Sequence, residues 1–257
     1  MTIAKKSTVF FLGGKDLEMC TIADMLKEHG WRYADRDLGW GANVERYDRE
    51  IASAGAIGDT LVFVELDGAD NYAADDRFAT IVVDHHKYEE IDYSDRPASI
   101  VQVAELIGVE LTRYQRLVAA NDAGYIPAMI AAGATEEEIA EVRRADRKAQ
   151  GVTEEQEMQA AEAIKTRKKV GVCTVARMPH SRCAPVTDAL YGKEFNILII
   201  SENGEVNFYG DGAICVRLME AFGGWSGGEG LGKKGESAFW GKDDGLSEEN
   251  LLAVING

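Results

Sequence analysis

Residues 79–86 read Ala-Thr-Ile-Val-Val-Asp-His-His, and no other stretch constrains the chain as strongly. Three consecutive branched apolar residues, Ile81, Val82 and Val83, predict a strand buried on both faces, as in parallel sheets covered by helices. The strand runs into a carboxylate and two imidazoles: Asp84, His85 and His86. In open α/β sheets the chemistry lies just beyond the carboxyl ends of the strands. The chain has four histidines, so half of them stand at this one strand end. Two histidines after a strand would by themselves read as a solvated turn; the adjoining Asp sharpens the reading to a polar site.

The chain around this strand alternates in the same manner. Residues 7–12 (Ser-Thr-Val-Phe-Phe-Leu) predict a first strand, Gly13-Gly14-Lys15 a tight turn, and residues 16–29 a helix stopped by Gly30. Asp16 and Glu18 fall in the first turn of that helix, at a strand's carboxyl end. Acidic residues also suit the positive end of a helix, so position alone leaves a structural and a functional reading open. Residues 43–54 predict an amphipathic helix. Residues 60–66 predict a strand running into Asp67-Gly68, a further carboxylate at a strand end. Helices are predicted at 98–107 and 111–120, followed by the polar break Asn121-Asp122-Ala123-Gly124 and another apolar helix. An Asp at such a break is ordinarily a cap or turn residue.

Composition shifts at residue 135. Thr135-x-x-Glu138 is a capping-box pattern and Thr153-x-x-Gln156 resembles a second, so residues 135–168 predict a charged helical connector. Beyond it, strands are predicted at 170–175, 196–200 and 205–209, the last two joined by the hairpin signal Asn203-Gly204. Pro185 restricts a helix over 181–190 to a late start, and 214–222 predicts another. Seven glycines then fall among the thirteen residues 223–235. They predict a loop, either a plain flexible surface loop or one whose backbone N–H groups approach an anion, with Lys233 and Lys234 adding charge. Neither a P-loop nor a dinucleotide fingerprint fits it. A strand is predicted at 237–240.

The 257 residues allow one or two domains. A formal net charge of −16 argues against long duplex nucleic acid, which is bound through Lys and Arg. A local cationic contact to a small anionic substrate remains compatible with it. No apolar run reaches the ~18 residues of a membrane span, and Met1-Thr2-Ile3-Ala4-Lys5-Lys6 does not read as a signal peptide. Cys20, Cys173, Cys183 and Cys215 form no CxxC pair, so free thiols in a reducing cytoplasm are expected.

Asp84-His85-His86 after a hydrophobic strand resembles the signature of the DHH phosphoesterase superfamily, which includes manganese pyrophosphatases, RecJ-type exonucleases and nano-RNA or cyclic-dinucleotide hydrolases. The order of the other motifs is similar. Where that superfamily has a strand and His-x-x-x-Asp-x-Asp, this chain has Leu12-x-x-x-Asp16-x-Glu18. Asp67 matches the Asp that follows a strand, and Asp122 the Asp that follows a helix. Phe222-Gly223-Gly224-Trp225-Ser226-Gly227-Gly228 stands where many members carry a Gly-Gly-Gly-His loop, and has no His. Three departures are plain: Leu12 for a His, Glu18 for an Asp, and no loop His.

The resemblance implies an α/β fold. A five-stranded, parallel, doubly wound domain is expected over residues 1–134, then the connector over 135–168, then a smaller mixed-sheet substrate-binding domain over 169–257. It implies metal ligands Asp16, Glu18, Asp67, His85 and Asp122, with Asp84 and His86 orienting ligands or facing substrate. Hard divalent cations take carboxylate oxygens, and an imidazole admits manganese. Because Leu12 offers no lone pair, one tightly held Mn²⁺ (or Mg²⁺) is expected, with a second ion held weakly or only with substrate. Arg182, Gly224, Gly227, Gly228, Lys233 and Lys234 are the candidate substrate contacts, facing the metal site across a cleft. The implied function is metal-dependent hydrolysis of a small phosphoester or phosphoanhydride, such as a short oligonucleotide or dinucleotide, in the cytoplasm, with a homodimer as the candidate assembly. The alternative is a non-hydrolytic nucleotide-binding or regulatory protein that keeps the fold and has lost part of the site.

Overall fold

The computed structural model describes residues 3–39, 41–88, 91–243 and 245–257; Met1 and Thr2, part of the N-terminal stretch considered above, lie outside them. The chain divides into two compact units, 1–151 and 152–257. Among the described residues no helix is long and apolar enough to cross a membrane.

The first unit is built on β1 (Thr8–Leu12), α1 (Leu17–Glu28), β2 (Arg32–Ala34), α2 (Asp48–Ala56), β3 (Thr60–Val64), α3 (Ala69–Ala73), β4 (Ala79–Val83), α4 (Ser99–Ile107), α5 (Arg113–Ala131) and α6 (Glu136–Ala149). Its strands pair in parallel in the order β2-β1-β3-β4. The sheet therefore has four strands among the described residues where five were expected, and β2 is one that hydrophobic pattern did not reveal, being short and half exposed.

Side chains alternate across the sheet. Phe10, Leu12, Val62 and Val64 pack on one face with Ile22, Met25 and Val103, from α1 and α4. Val9, Phe11, Leu61 and Phe63 pack on the other with Tyr47 and Ile51, beneath α2. Both faces are covered, which is why these strands read as unbroken apolar runs. From β1 the chain passes to β2 on one side and returns to β3 on the other, so the order reverses between β1 and β3. In such sheets the crevice at that reversal receives ligands.

The second unit contains α7 (Glu154–Thr166), β5 (Lys168–Val170), β6 (Cys173–Met178), α8 (Ala184–Leu190), β7 (Ile197–Ser201), β8 (Val206–Asp211), α9 (Gly212–Phe222), β9 (Trp225–Gly227), β10 (Ser237–Lys242) and α10 (Glu248–Asn256). Its sheet has the order β5-β6-β7-β8-β10-β9, mixed because only β6 and β7 run parallel. Asn203-Gly204 forms the β7–β8 turn, with Gly204 at φ +93°. Both capping boxes form, at Thr135 and Thr153, and Thr112 with Gln115 makes another. The stretch 135–168 is shared between the units: α6 packs on α1 and α5, α7 on α8 and β6.

Gly13, at the end of β1, lies against the end of β3. A Cβ added there would stand 2.3 Å from the Glu65 carbonyl oxygen and 2.7 Å from that of Val64. Two backbones touch, so neither can yield as a flexible side chain would. Gly13→Ala is expected to lower the unfolding free energy by about 1–3 kcal/mol, the usual cost of overpacking, read by urea denaturation. An unchanged denaturation midpoint would contradict this close approach.

Candidate metal centre

Four side chains from four elements converge beyond the carboxyl ends of the strands. One ligand atom from each of Glu18, Glu65, His85 and Asp122 can be chosen so that all lie within 4.8 Å of one another. Glu18 belongs to the first turn of α1, which follows β1; its side chain is fully buried. Its Oε1 accepts a hydrogen bond from Ile100 N (2.9 Å), at the N-terminus of α4, leaving Oε2 for the cluster. That N-terminus carries partial positive charge, which suits the carboxylate.

Glu65 is the first residue past β3. Its backbone takes φ +50°, the left-handed region that a non-glycine residue rarely adopts. Such a conformation costs about 1–3 kcal/mol and recurs at functional sites. His85 follows Asp84 at the end of β4. Its Nε2 lies 2.7 Å from Asp122 Oδ2, 3.3 Å from Glu65 Oε1 and 3.8 Å from Glu18 Oε2. These approaches lack hydrogen-bond geometry: Glu18 Oε2, Glu65 Oε1, His85 Nε2 and Asp122 Oδ2 are all buried without a hydrogen-bond partner. Asp122 lies in α5 just before a break, where Gly124 and Tyr125 leave helical geometry and Tyr125 takes φ +59°.

Asp84 is buried and its carboxylate is spent locally. Oδ1 accepts from His86 N (2.8 Å) and lies 3.1 Å from His86 Nδ1; Oδ2 accepts from the Tyr88 hydroxyl (2.9 Å). Gln102 holds the Asp84 carbonyl at 3.0 Å. Asp84 thus fixes the turn that aims the histidines. The His86 ring is half exposed and stacks on His85 with centroids 4.4 Å apart.

The protonation pattern follows from crowding. Burial drives the Glu18 pKa well up, and the Asp122 and Glu65 charges drive it further. Glu65 moves down: burial opposes this, but the close approach of His85 and Glu18, with the nearby His86, prevails. The two neighbouring carboxyls are thus driven apart, Glu18 upward and Glu65 downward. Burial works against a charged His85, yet Asp122 and Glu65 outweigh it and raise its pKa to about 10.

The donor set fits a hard divalent ion. The carboxylate oxygens lie 2.7, 3.3 and 3.8 Å from His85 Nε2, close enough for one ion to be shared among them. Three carboxylates and an imidazole match Mn²⁺ or Mg²⁺ chemistry, and a cation would satisfy the four orphaned atoms together.

Of the expected ligands, Glu18, His85 and Asp122 meet. Asp67 does not: it is exposed, its Oδ2 accepts from Asn43 Nδ2 (3.1 Å), and its backbone pairs with Ala42 and Val44. Glu65 stands in its place because β3 ends at Val64, two residues before the expected end. That shorter strand, and the first acid beyond it, were the available signal. Asp16 caps α1, accepting from Met19 N at 2.8 Å. Burial raises its pKa to about 7, with Glu65, Asp122 and Asp146 contributing, so it borders the four-residue cluster without being one of its members. Leu12, in the position of the superfamily His, is core.

In the second unit the glycine-rich stretch is not a free loop. Residues 225–227 form β9, paired with β10. A Cβ on Gly224 would meet the Gly241 carbonyl at 2.3 Å, and one on Gly227 the Phe239 ring at 2.7 Å. Gly228 takes φ +99° and its carbonyl accepts from Leu231 N. The N–H groups of Gly232, Lys233 and Gly235 are bonded to Gly212 O, Gly230 O and Asp211 Oδ2. Lys233 pairs with Glu236 at 3.2 Å; Lys234 and Arg182 are exposed.

The metal-free centre has a signed pH dependence. The folded pKa of His85 lies above its ordinary 6.5, so its contribution is complete below pH 6.5 and is lost as pH rises through about 10. Asp16, an acid raised from 3.8 to about 7, likewise favours the protonated folded state and loses stability on charging. Between pH 6.5 and 8.5 the unfolding free energy of metal-free protein is expected to fall, by at most about 1.4 kcal/mol per pH unit for one proton. His85→Gln should flatten the profile. A flat wild-type profile in chelator would contradict the cluster's electrostatics.

No protein-family profile matches the chain, and no curated protein does. Among solved structures, a pGpG-specific phosphodiesterase, PggH from Vibrio cholerae, is 13% identical, with 97% of this chain and 98% of that one covered and a TM-score of 0.46. An exonuclease RecJ bound to manganese is 12% identical, with 97% and 89% covered and a TM-score of 0.48. An uncharacterized protein from Helicobacter pylori G27 is 11% identical, with 97% and 99% covered and a TM-score of 0.28. These likenesses concern the fold alone. The chain itself has a parallel sheet with a cluster of acids and histidine beyond its strand ends, followed by a mixed sheet.

Proposed function

We propose that this protein is a metal-dependent phosphoesterase acting on a small phosphorylated or nucleotide substrate. One observation carries the reading: four buried lone-pair atoms, from Glu18, Glu65, His85 and Asp122, face one another without hydrogen-bond partners. These residues would hold a single Mn²⁺-type ion. When bound, such an ion lowers the pKa of a water and polarises a phosphoryl oxygen. His86 is the exposed polar group beside the cluster. With Nδ1 held by Asp84, its Nε2 is left to hydrogen-bond a substrate oxygen. Asp84 positions His86 and, being buried and fully engaged, meets no substrate. Asp16 adds a carboxyl at the rim.

The buried Leu12 and the outward Asp67 favour one ion over two, and they motivate the second reading, a nucleotide-binding protein without turnover. A manganese-supplemented hydrolysis screen over nucleotides, dinucleotides and inorganic polyphosphates separates the two, with metal stoichiometry measured by calorimetry. Turnover is expected on at least one substrate, at one tight ion per chain. His85→Ala should reduce it about 100-fold or more, since the ion contributes several kcal/mol to the barrier. One bound ion with no turnover on any substrate would favour the non-hydrolytic reading, and no bound ion would remove the metal centre altogether.

A further inference from the structure

A second buried polar cluster adjoins Asp122. Arg143, on α6, is 7% exposed, Asp146 is 5% and Asn121 is 9%. The Nη1 of Arg143 donates to Asn121 Oδ1 (2.8 Å) and to Asp146 Oδ2 (2.6 Å). Its guanidinium lies over the Tyr125 ring, 4.5 Å from the centroid. Asp146 Oδ1 accepts from Gln150 Nε2 at 3.0 Å. Buried ion pairs contribute little to stability compared with apolar packing of the same volume, so a buried arginine calls for an explanation in placement.

The placement is specific. Asn121 precedes Asp122 directly, and Tyr125 follows it by three residues across the break at Gly124. An interrupted helix has lost the ladder that would hold its side chains in direction. From a neighbouring helix Arg143 grips a residue just before the interruption, Asn121, and one within it, Tyr125. It also neutralises Asp146, a carboxylate whose charge reaches Asp16 at the rim of the centre.

We propose that Arg143 is a positioning residue for the metal centre, clamping the broken helix at Asn121 and Tyr125 so that Asp122 Oδ2 stays aimed at His85 and Glu65. This rests on the metal-centre reading above. Residues that orient a ligand from behind typically change metal affinity 10–100-fold when removed.

The test is Mn²⁺ titration of the full chain by calorimetry, with the electron paramagnetic resonance spectrum of the bound ion as a second readout. Arg143→Met is expected to weaken Mn²⁺ binding about tenfold and to alter the spectrum, and Arg143→Lys to recover part of the loss. Gln150→Ala, which removes only a hydrogen bond to Asp146 Oδ1, should leave affinity and spectrum unchanged. Ile51→Ala, in the core beneath α2, should lower the melting temperature and leave both unchanged. If Arg143→Met does not fold, Asn121→Ala tests the same link and should also weaken binding. Wild-type protein that binds Mn²⁺ while Arg143→Met, or in its place Asn121→Ala, binds equally well would overturn the proposal. So would an equal loss in Gln150→Ala or Ile51→Ala, which would show general loosening. Wild-type protein that binds no Mn²⁺ would overturn the metal-centre reading itself.

Discussion

Repulsion among three buried carboxylates is the interaction that orders the first unit. Like charges about 4 Å apart cost on the order of 4 kcal/mol at the effective dielectric of a protein site. Glu18, Glu65 and Asp122 are nonetheless brought to one point. Without a metal the crowding shows in the pKa values: Glu18 and His85 are pushed up and Glu65 down. A divalent cation at the centre of the group would compensate these charges. A carboxylate cluster of this kind is stable only while its surroundings hold it in place, and most of the local irregularities of the first unit serve that end.

Each ligand is restrained by a different device. Glu18 is tied by its other oxygen to the N-terminus of α4. Glu65 is held in left-handed backbone geometry, with the β1 backbone at Gly13 pressed against its carbonyl. His85 is aimed by the turn that Asp84 closes through His86 and Tyr88. Asp122 sits at a broken helix beside a buried arginine. Local rules are violated at Glu65, Tyr125 and Arg143, and all three violations border the same point. Departures from ideal geometry are expected to gather where function demands them.

The second unit shows glycine used for proximity. The glycines of 223–235 let β9 lie against β10 and let the Phe239 ring cover Gly227. Several backbone donors that would cradle an anion are already engaged, by Gly230 within the segment and by Asp211 and Gly212 at the start of α9. Charge available for a phosphate in this unit therefore lies with exposed side chains such as Lys234 and Arg182.

Much of this was determined by the sequence. The apolar run ending in Asp84-His85-His86 gave a parallel strand with polar groups at its end, but not its burial: β4 is an edge strand, and of its residues only Val83 is buried. The capping boxes, the Asn203-Gly204 turn and the break after Asp122 were legible because each depends on contacts a few residues apart. Tertiary structure decided which acids meet. Asp67 and Glu65 both follow the same strand, and the choice between them turned on where β3 stops pairing with β1 and β4, a matter of register between distant segments. Arg143 carried no local signal; among the charges of α6 it and its partner Asp146 are set apart only by burial. The short strand β9 was hidden for the same reason: its residues hold no preference for extended structure, and only the facing β10 gives them partners.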